Sequence, residues 1–274
     1  MNRLDPSGNI TPVGGEAPSS WLANYSQEDT SLAGMASMRV LQRVRVLQGM
    51  SPKPLRDQFG GEGAVILMPA QQLIAKRDQS FLFIPLLFFK EWIAWADRKD
   101  KNTKNAILER SFDENSALAV KANNADKRKE TYSINGSEFI RTNVEHLNFA
   151  GILVNHPQLD NQPIVLGFAK GEWSTGKKYV NQILMRRDAG RTVPLWAQRW
   201  EFVVASHKNK NDQEWNALEP RNPTDGQLLI SEEMGPTMQA LHRQLAEDHK
   251  NRAMMVDRSD EATESADDLT DSPM

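Results

Sequence analysis

The feature that most limits how this chain can fold is the run Phe81–Phe89, nine residues without one polar side chain. Pro85 interrupts it and Lys90 and Glu91 end it, so it falls well short of the roughly twenty apolar residues that a membrane-spanning helix needs. Its aromatic and branched side chains suit a buried strand instead, and one is predicted over 79–95, bending at Pro85. A buried strand needs neighbours. Residues 64–74, the apolar pattern over 138–155 and the short run Pro163–Ala169 supply candidates. In Leu195–Ser206, Trp196, Trp200, Phe202 and Val204 recur at period two, which predicts a strand; a polar turn at His207–Asp212 and a return arm at Gln213–Leu218 follow.

Two helices interrupt this β pattern. The first follows Ala169: Ser174 or Thr175 can cap it, Tyr179, Val180, Ile183 and Leu184 share a face, Arg186 and Arg187 suit its C-terminal dipole, and Gly190 can close it. The second covers Pro236–Met254, with Met238, Leu241 and Leu245 on one face. Residues 35–50 fit either state. The expectation is a mainly β, α+β chain with a leader over 1–34, a folded domain over 35–254 carrying a basic insertion near 97–131, and an acidic tail over 255–274. Leader and tail bury too little apolar area to fold and are expected to be disordered. The leader has no apolar core like that of a signal peptide, and the chain has no cysteine, so disulfides and thiolate metal sites are excluded and a reducing cytoplasm is expected.

Charge is distributed unevenly. The tail holds Asp257, Asp260, Glu261, Glu264, Asp267, Asp268 and Asp271 against one Arg258, which leaves residues 1–256 net basic although the whole chain is formally −3. A cationic, aromatic body with a flexible polyanion suits a protein that binds single-stranded nucleic acid and whose tail competes for the same groove, then recruits partners when displaced. The candidate stacking rings are Trp92, Trp95, Trp196 and Trp200, and the candidate phosphate contacts are Arg98, Lys99, Lys127, Arg128, Lys129, Lys177, Lys178, Arg186 and Arg199. Against this stands burial, the ordinary fate of large aromatics at alternating positions.

Other chemistry is weakly signalled. The segment Gly171–Lys178 has the spacing of a phosphate-binding loop, but Lys178 stands where a Ser or Thr would ligate magnesium. The five histidines show no metal spacing, and no nucleophile motif is present, so a non-catalytic protein without cofactor or metal is expected.

The opening Arg43–Ser51, the aromatic strand region Phe81–Trp95, the strand–helix–hairpin block from Pro163 to Leu218 and the acidic C-terminus together resemble phage-encoded single-stranded DNA-binding proteins, over residues 35–274. The resemblance implies an oligonucleotide-binding fold, a five-stranded barrel here enlarged by inserted helices and loops. It also implies a job covering exposed DNA in replication and recombination, with replication or recombination proteins as partners of the tail. Such tails commonly finish on an aromatic residue, whereas this one ends in Met274. The alternatives are a nucleotide-dependent recombination or packaging factor using the 171–178 loop, and a phage structural or scaffold protein.

Overall fold

The longest apolar segment forms the spine. In the computed structural model, Phe81–Trp95 is one fifteen-residue strand, paired along its length with the eighteen-residue strand Ser137–Val154. Pro85 has no amide to donate, and the register shifts beside it, between Pro85 and Leu87, so the predicted bend is a β-bulge. Gly151 stands opposite: a Cβ there would lie 2.2 Å from the Ile84 carbonyl oxygen and 2.5 Å from the Phe83 ring.

The described residues are 39–97, 99–100, 107–156, 159, 162–208, 212 and 214–259. The chain divides into Met1–Arg39, nearly all of it outside these, and Val40–Met274, which holds the sheet and its helices. In order, the strands and helices are β1 (Arg39–Val46), α1 (Lys53–Phe59), β2 (Val65–Met68), β3 (Gln72–Ala75), β4 (Phe81–Trp95), β5 (Ile107–Ser111), α2 (Ala117–Asn123), β6 (Lys129–Ile134), β7 (Ser137–Val154), β8 (Ile164–Ala169), α3 (Trp173–Met185), β9 (Arg187–Asp188), β10 (Arg191–Thr192), β11 (Trp200–Lys208), β12 (Glu214–Arg221), α4 (Gly235–Lys250) and β13 (Met254–Val256).

Among the described residues eleven strands form one mixed sheet, its main path running β12-β11-β4-β7-β8-β1-β2-β3, with β13 added to β1, β5 to β4 and β6 to β7. The fold is therefore mainly β with a few helices, but the five-stranded closed barrel is not what forms. The sheet curls around a core that takes residues from both ends of the path, including Val65 from β2 and Leu218 from β12. Among the described residues no main-chain ladder closes the curl. In its place the Gln48 carboxamide donates to the Asn216 carbonyl and accepts from the Asn216 amide, both at 2.8 Å, as a neighbouring strand would. Pro220 is tolerated in β12 because β12 is an edge.

α3 plugs the curl. Its Tyr179 is fully buried, with ring centroids 4.5 Å from Phe149, 5.1 Å from Trp200 and 5.3 Å from Phe202. Such pairs contribute about 0.5–1.5 kcal/mol each beyond area burial. On the opposite face α4 and β13 cover Phe89, Ile84 and Val165 through Met238, Leu245 and Val256.

Several local expectations shift by a few residues. The 64–74 segment is a hairpin, β2 and β3, turned at Pro69–Gln71. The helix after Ala169 starts at Trp173 without a side-chain cap, and Gly190 turns the small hairpin β9–β10 instead of closing the helix. Leu195–Ala197 is a single 3-10 turn before the strand begins at Trp200. The basic insertion contains β5, α2 and β6, with α2 capped by the Ser116 hydroxyl accepting from the Ala119 amide at 3.1 Å. Packed structure also runs past residue 254: β13 pairs with β1, and Arg258 is buried against Glu91. Polarity counting cannot see a partner 167 residues away.

Candidate functional site

The turn from β8 into α3 gathers what the sequence scattered. Lys170 leaves β8 with φ of 50°, a left-handed conformation that costs a non-glycine residue about 1–2 kcal/mol, and a 3-10 turn over Lys170–Glu172 leads into Trp173. Three half-buried indoles surround this turn. The Lys170 ammonium lies 5.7 Å from the centroid of Trp95. The Lys177 ammonium, one helical turn beyond Trp173, lies 4.4 Å from that ring. Gly171 sits against Trp215, where a Cβ would come within 3.3 Å of the indole, and Trp215 stacks on His207 at 5.6 Å and 17°.

Hydrogen bonds fix the middle ring. Trp173 Nε1 donates to Glu145 Oε2 at 2.8 Å, and Glu145 Oε1 pairs with Lys90 Nζ at 3.0 Å. Glu145 and Asn143 lie two apart on β7 and so share a face. The Asn143 amide donates to the Arg128 carbonyl at 2.7 Å and its side chain donates to the Lys127 carbonyl at 3.1 Å. The exposed Lys127, Arg128 and Lys129 are thereby moored to the same face of β7 as Lys90, one alternation from Glu145.

Beneath the turn, charge is handled differently. Burial pushes the Glu172 carboxyl up to about 7, and the Arg43 guanidinium opposes the shift without cancelling it. His146, facing Glu91 across the β4–β7 ladder, is driven well below the usual imidazole range by burial, reinforced by the positive charges of Arg258, Lys170, Arg43 and Arg110. Glu91 itself is 0 % exposed and anchors Arg258 at 2.7 Å, Arg110 at 2.9 Å and the Asn148 amide at 3.2 Å.

Of the residues singled out from the sequence, the structure brings Trp95 and Lys177 to this turn and leaves Lys178 exposed on the same helix. Trp92 is 1 % exposed, covered by Leu118, Ala119 and Ala122 of the insertion, and Trp200 is 2 % exposed in the curl. Neither offers a ring face to a base, which corrects the stacking expectation for both; period-two aromatics are core here. Trp196 is half-buried against the α4 side of the sheet. Arg186 and Arg199 are likewise structural. Arg186 lies over the Trp200 ring at 3.7 Å and donates to the carbonyls of Arg199 and Leu228 at 2.8 and 3.0 Å and to the Asn222 side chain at 2.7 Å. Arg199 is held by Asp225 at 3.0 Å and Gln227 at 2.7 Å. Lys99 is exposed, and Arg98 lies outside the described residues.

Asp257 caps its own turn, accepting from the Ser259 amide at 2.9 Å, while Asp260, Glu261, Glu264, Asp267, Asp268 and Asp271 lie outside the described residues. Trp173, Lys170 and Trp215 are not among the residues that the sequence singles out. The Trp173–Lys177 spacing of one helical turn was the available signal.

The phosphate-loop reading of 171–178 does not survive. Gly176 is inside α3, where a Cβ would lie 2.7 Å from the Phe168 Cβ and 3.1 Å from Leu147, so this glycine lets helix and sheet approach and does not cradle a ligand. Among the described residues no group of His, Asp and Glu is placed to hold a metal ion, and no helix is long and apolar enough to cross a membrane.

Fold and turn together define a mainly β protein built on one large mixed sheet, with a ring-and-cation cluster where β8 enters α3. A family model for Pam3 phage gp34-like proteins matches residues 20–222, and the chain belongs to that family, which is named for a phage protein. No curated protein and no solved structure matches it.

Proposed function

We propose that this protein binds single-stranded DNA independently of sequence and without catalysis, protecting exposed strands during phage replication or recombination. The observation that carries the reading is the pair of lysine-over-indole contacts, Lys170 on Trp95 and Lys177 on Trp173, on either side of one turn. A ring already attractive to a cation is equally a platform for a base, and lysines drawn off the rings can meet phosphates. From the Trp173 side, Lys90 and the Lys127–Lys129 turn extend the positive track along the Glu145 face of β7. The curled sheet would serve as the stacking face that a closed oligonucleotide-binding barrel provides elsewhere. The acidic segment beyond Ser259 would compete for this track and, once displaced, dock replication or recombination proteins.

The test is intrinsic fluorescence, since the chain has seven tryptophans. Quenching by oligo-dT, absent with duplex DNA and with ATP, is expected. Equal quenching by ATP would favour a nucleotide site, and no quenching by any of the three would leave a structural role in phage assembly as the better reading.

A further inference from the structure

We propose that the opening between β1 and β8 is a binding pocket for an oxyanion of the phosphate class. The two strands run parallel but pair only at Gln42–Ile164 and Arg43–Val165. Beyond those pairs they part, and a cavity of about 190 Å³ occupies the place where the ladder would have continued. Consecutive β1 residues line it, Arg43 and Arg45 alternating with Val44 and Val46, which an opening between strands allows and a groove on one face does not.

The lining has the chemistry of an anion site. Arg43 and Arg45 are two residues apart and so project to one side of β1, where two long side chains can reach one anion. A guanidinium has five donors in a fixed fork, so each can hold an oxyanion while keeping a protein partner. Gln48 is a fixed wall, its carboxamide occupied by Asn216. From the β8 and β12 sides the lining residues are Gly167, Phe168 and Leu218, none of them titratable. Among the described residues of the lining, the remaining charged group is Glu172, contributed by the turn above. A carboxylate that simply served as ion-pair partner to Arg43 would be held below its ordinary range, whereas Glu172 is pushed the other way, up to about 7. Its protonated form adds an O–H donor where the ionised form would repel an anion. Anion entry and protonation of Glu172 are therefore coupled, and affinity falls as pH rises.

The pocket lies under the turn that carries Trp173, so its natural occupant is either a phosphate of a bound strand or a free small anion. The inference goes beyond the proposed function, because it concerns anion binding in the absence of nucleic acid.

The test uses the full-length protein and sulfate, whose charge does not change across the neutral range. If the anion binds only when Glu172 is protonated, a group titrating near 7 makes the apparent Kd about tenfold larger at pH 8 than at pH 6. Calorimetric titration with sodium sulfate, against sodium chloride at matched ionic strength, should show saturable binding with that ratio. Glu172→Gln should bind sulfate with the same Kd at both pH values, and Arg45→Gln should lose binding while still unfolding cooperatively in chloride. Should Arg45→Gln fail to fold, the pH ratio in the wild type and its loss in Glu172→Gln still decide the matter. Sulfate indistinguishable from chloride, or a pH ratio surviving in Glu172→Gln, overturns the proposal. Competition by 5′-phosphorylated but not 5′-hydroxyl oligo-dT would identify a strand terminus as the source, competition by both an internal phosphodiester. A failure of oligo-dT to bind would remove the proposed function and leave the sulfate pocket standing.

Discussion

Cutting the tether at the root of the acidic tail should destabilise the whole unit. Arg258 donates to Glu91 Oε2 from Nε at 3.2 Å and from the terminal nitrogen at 2.7 Å, and Glu91 is fully buried. In Arg258→Ala the carboxylate keeps Arg110 at 2.9 Å and the Asn148 amide at 3.2 Å but loses the guanidinium that donates twice to its Oε2. Removing one partner of a buried ion pair costs about 3–5 kcal/mol, and the surviving Arg110 contact places this case near 3. β13, which pairs with β1 two residues before Arg258, should loosen with it. Urea denaturation of Arg258→Ala and of Glu91→Gln with Arg258→Ala is the assay. With Glu91→Gln measured alone as well, the double variant should cost less than the sum of the two single variants by about 0.5–3 kcal/mol, the range in which contacting residues couple. A cost below about 1 kcal/mol for Arg258→Ala would refute the argument that the C-terminal segment is anchored through the sheet.

Gly176→Ala should be strongly destabilising, about 2 kcal/mol or more by thermal denaturation, because the new methyl would press on Phe168 and Leu147; a neutral result would mean that α3 packs elsewhere. Two carboxyls should give pH dependence of opposite sign. Glu201 is buried, which alone would raise its pKa, yet Arg221, Ser80 and the Thr224 amide hold it at about 2, below the ordinary 4.5. It stabilises the fold above pH 4.5 and loses that contribution as pH falls through 2, so Glu201→Gln should cost on the order of 3 kcal/mol at pH 7 and little near pH 2. Glu172, raised to about 7, destabilises as pH rises from 4.5 to 7, so Glu172→Gln should stabilise at pH 8 and change little at pH 4. Removing residues 260–274 should tighten DNA binding at low salt, read as a smaller Kd in the same titration; an unchanged Kd would argue against competition by the tail.

The β-rich character was legible because Phe81–Phe89 can only be buried, and Pro85 foretold its bulge. The sheet's size was not, since β5 and β6 lie within a segment whose charge reads as loop and whose burial depends on covering Trp92. Alternation along Trp196–Val204 says that one side is buried without saying which, and Trp200 went to the side facing Tyr179. Buried arginines mislead in the same way: Arg186 and Arg199 read as phosphate contacts until carbonyl, amide and carboxylate partners at distant positions appear. The site was half legible. Lys177 stood out from its spacing, whereas Lys170 meets Trp95 only through the β4–β7–β8 order of the sheet.

The most direct measurement is the affinity of wild type and Trp173→Ala for a labelled oligo-dT at two salt concentrations. If Lys90, Lys127, Arg128, Lys129, Lys170 and Lys177 meet six phosphates, log K should fall with log salt at a slope near −4, so raising salt from about 50 to about 200 mM weakens wild-type binding roughly 250-fold. Trp173→Ala should bind more weakly by about 1–3 kcal/mol, roughly 5- to 150-fold, with its slope unchanged. A flat salt response together with wild-type affinity in Trp173→Ala would contradict the account.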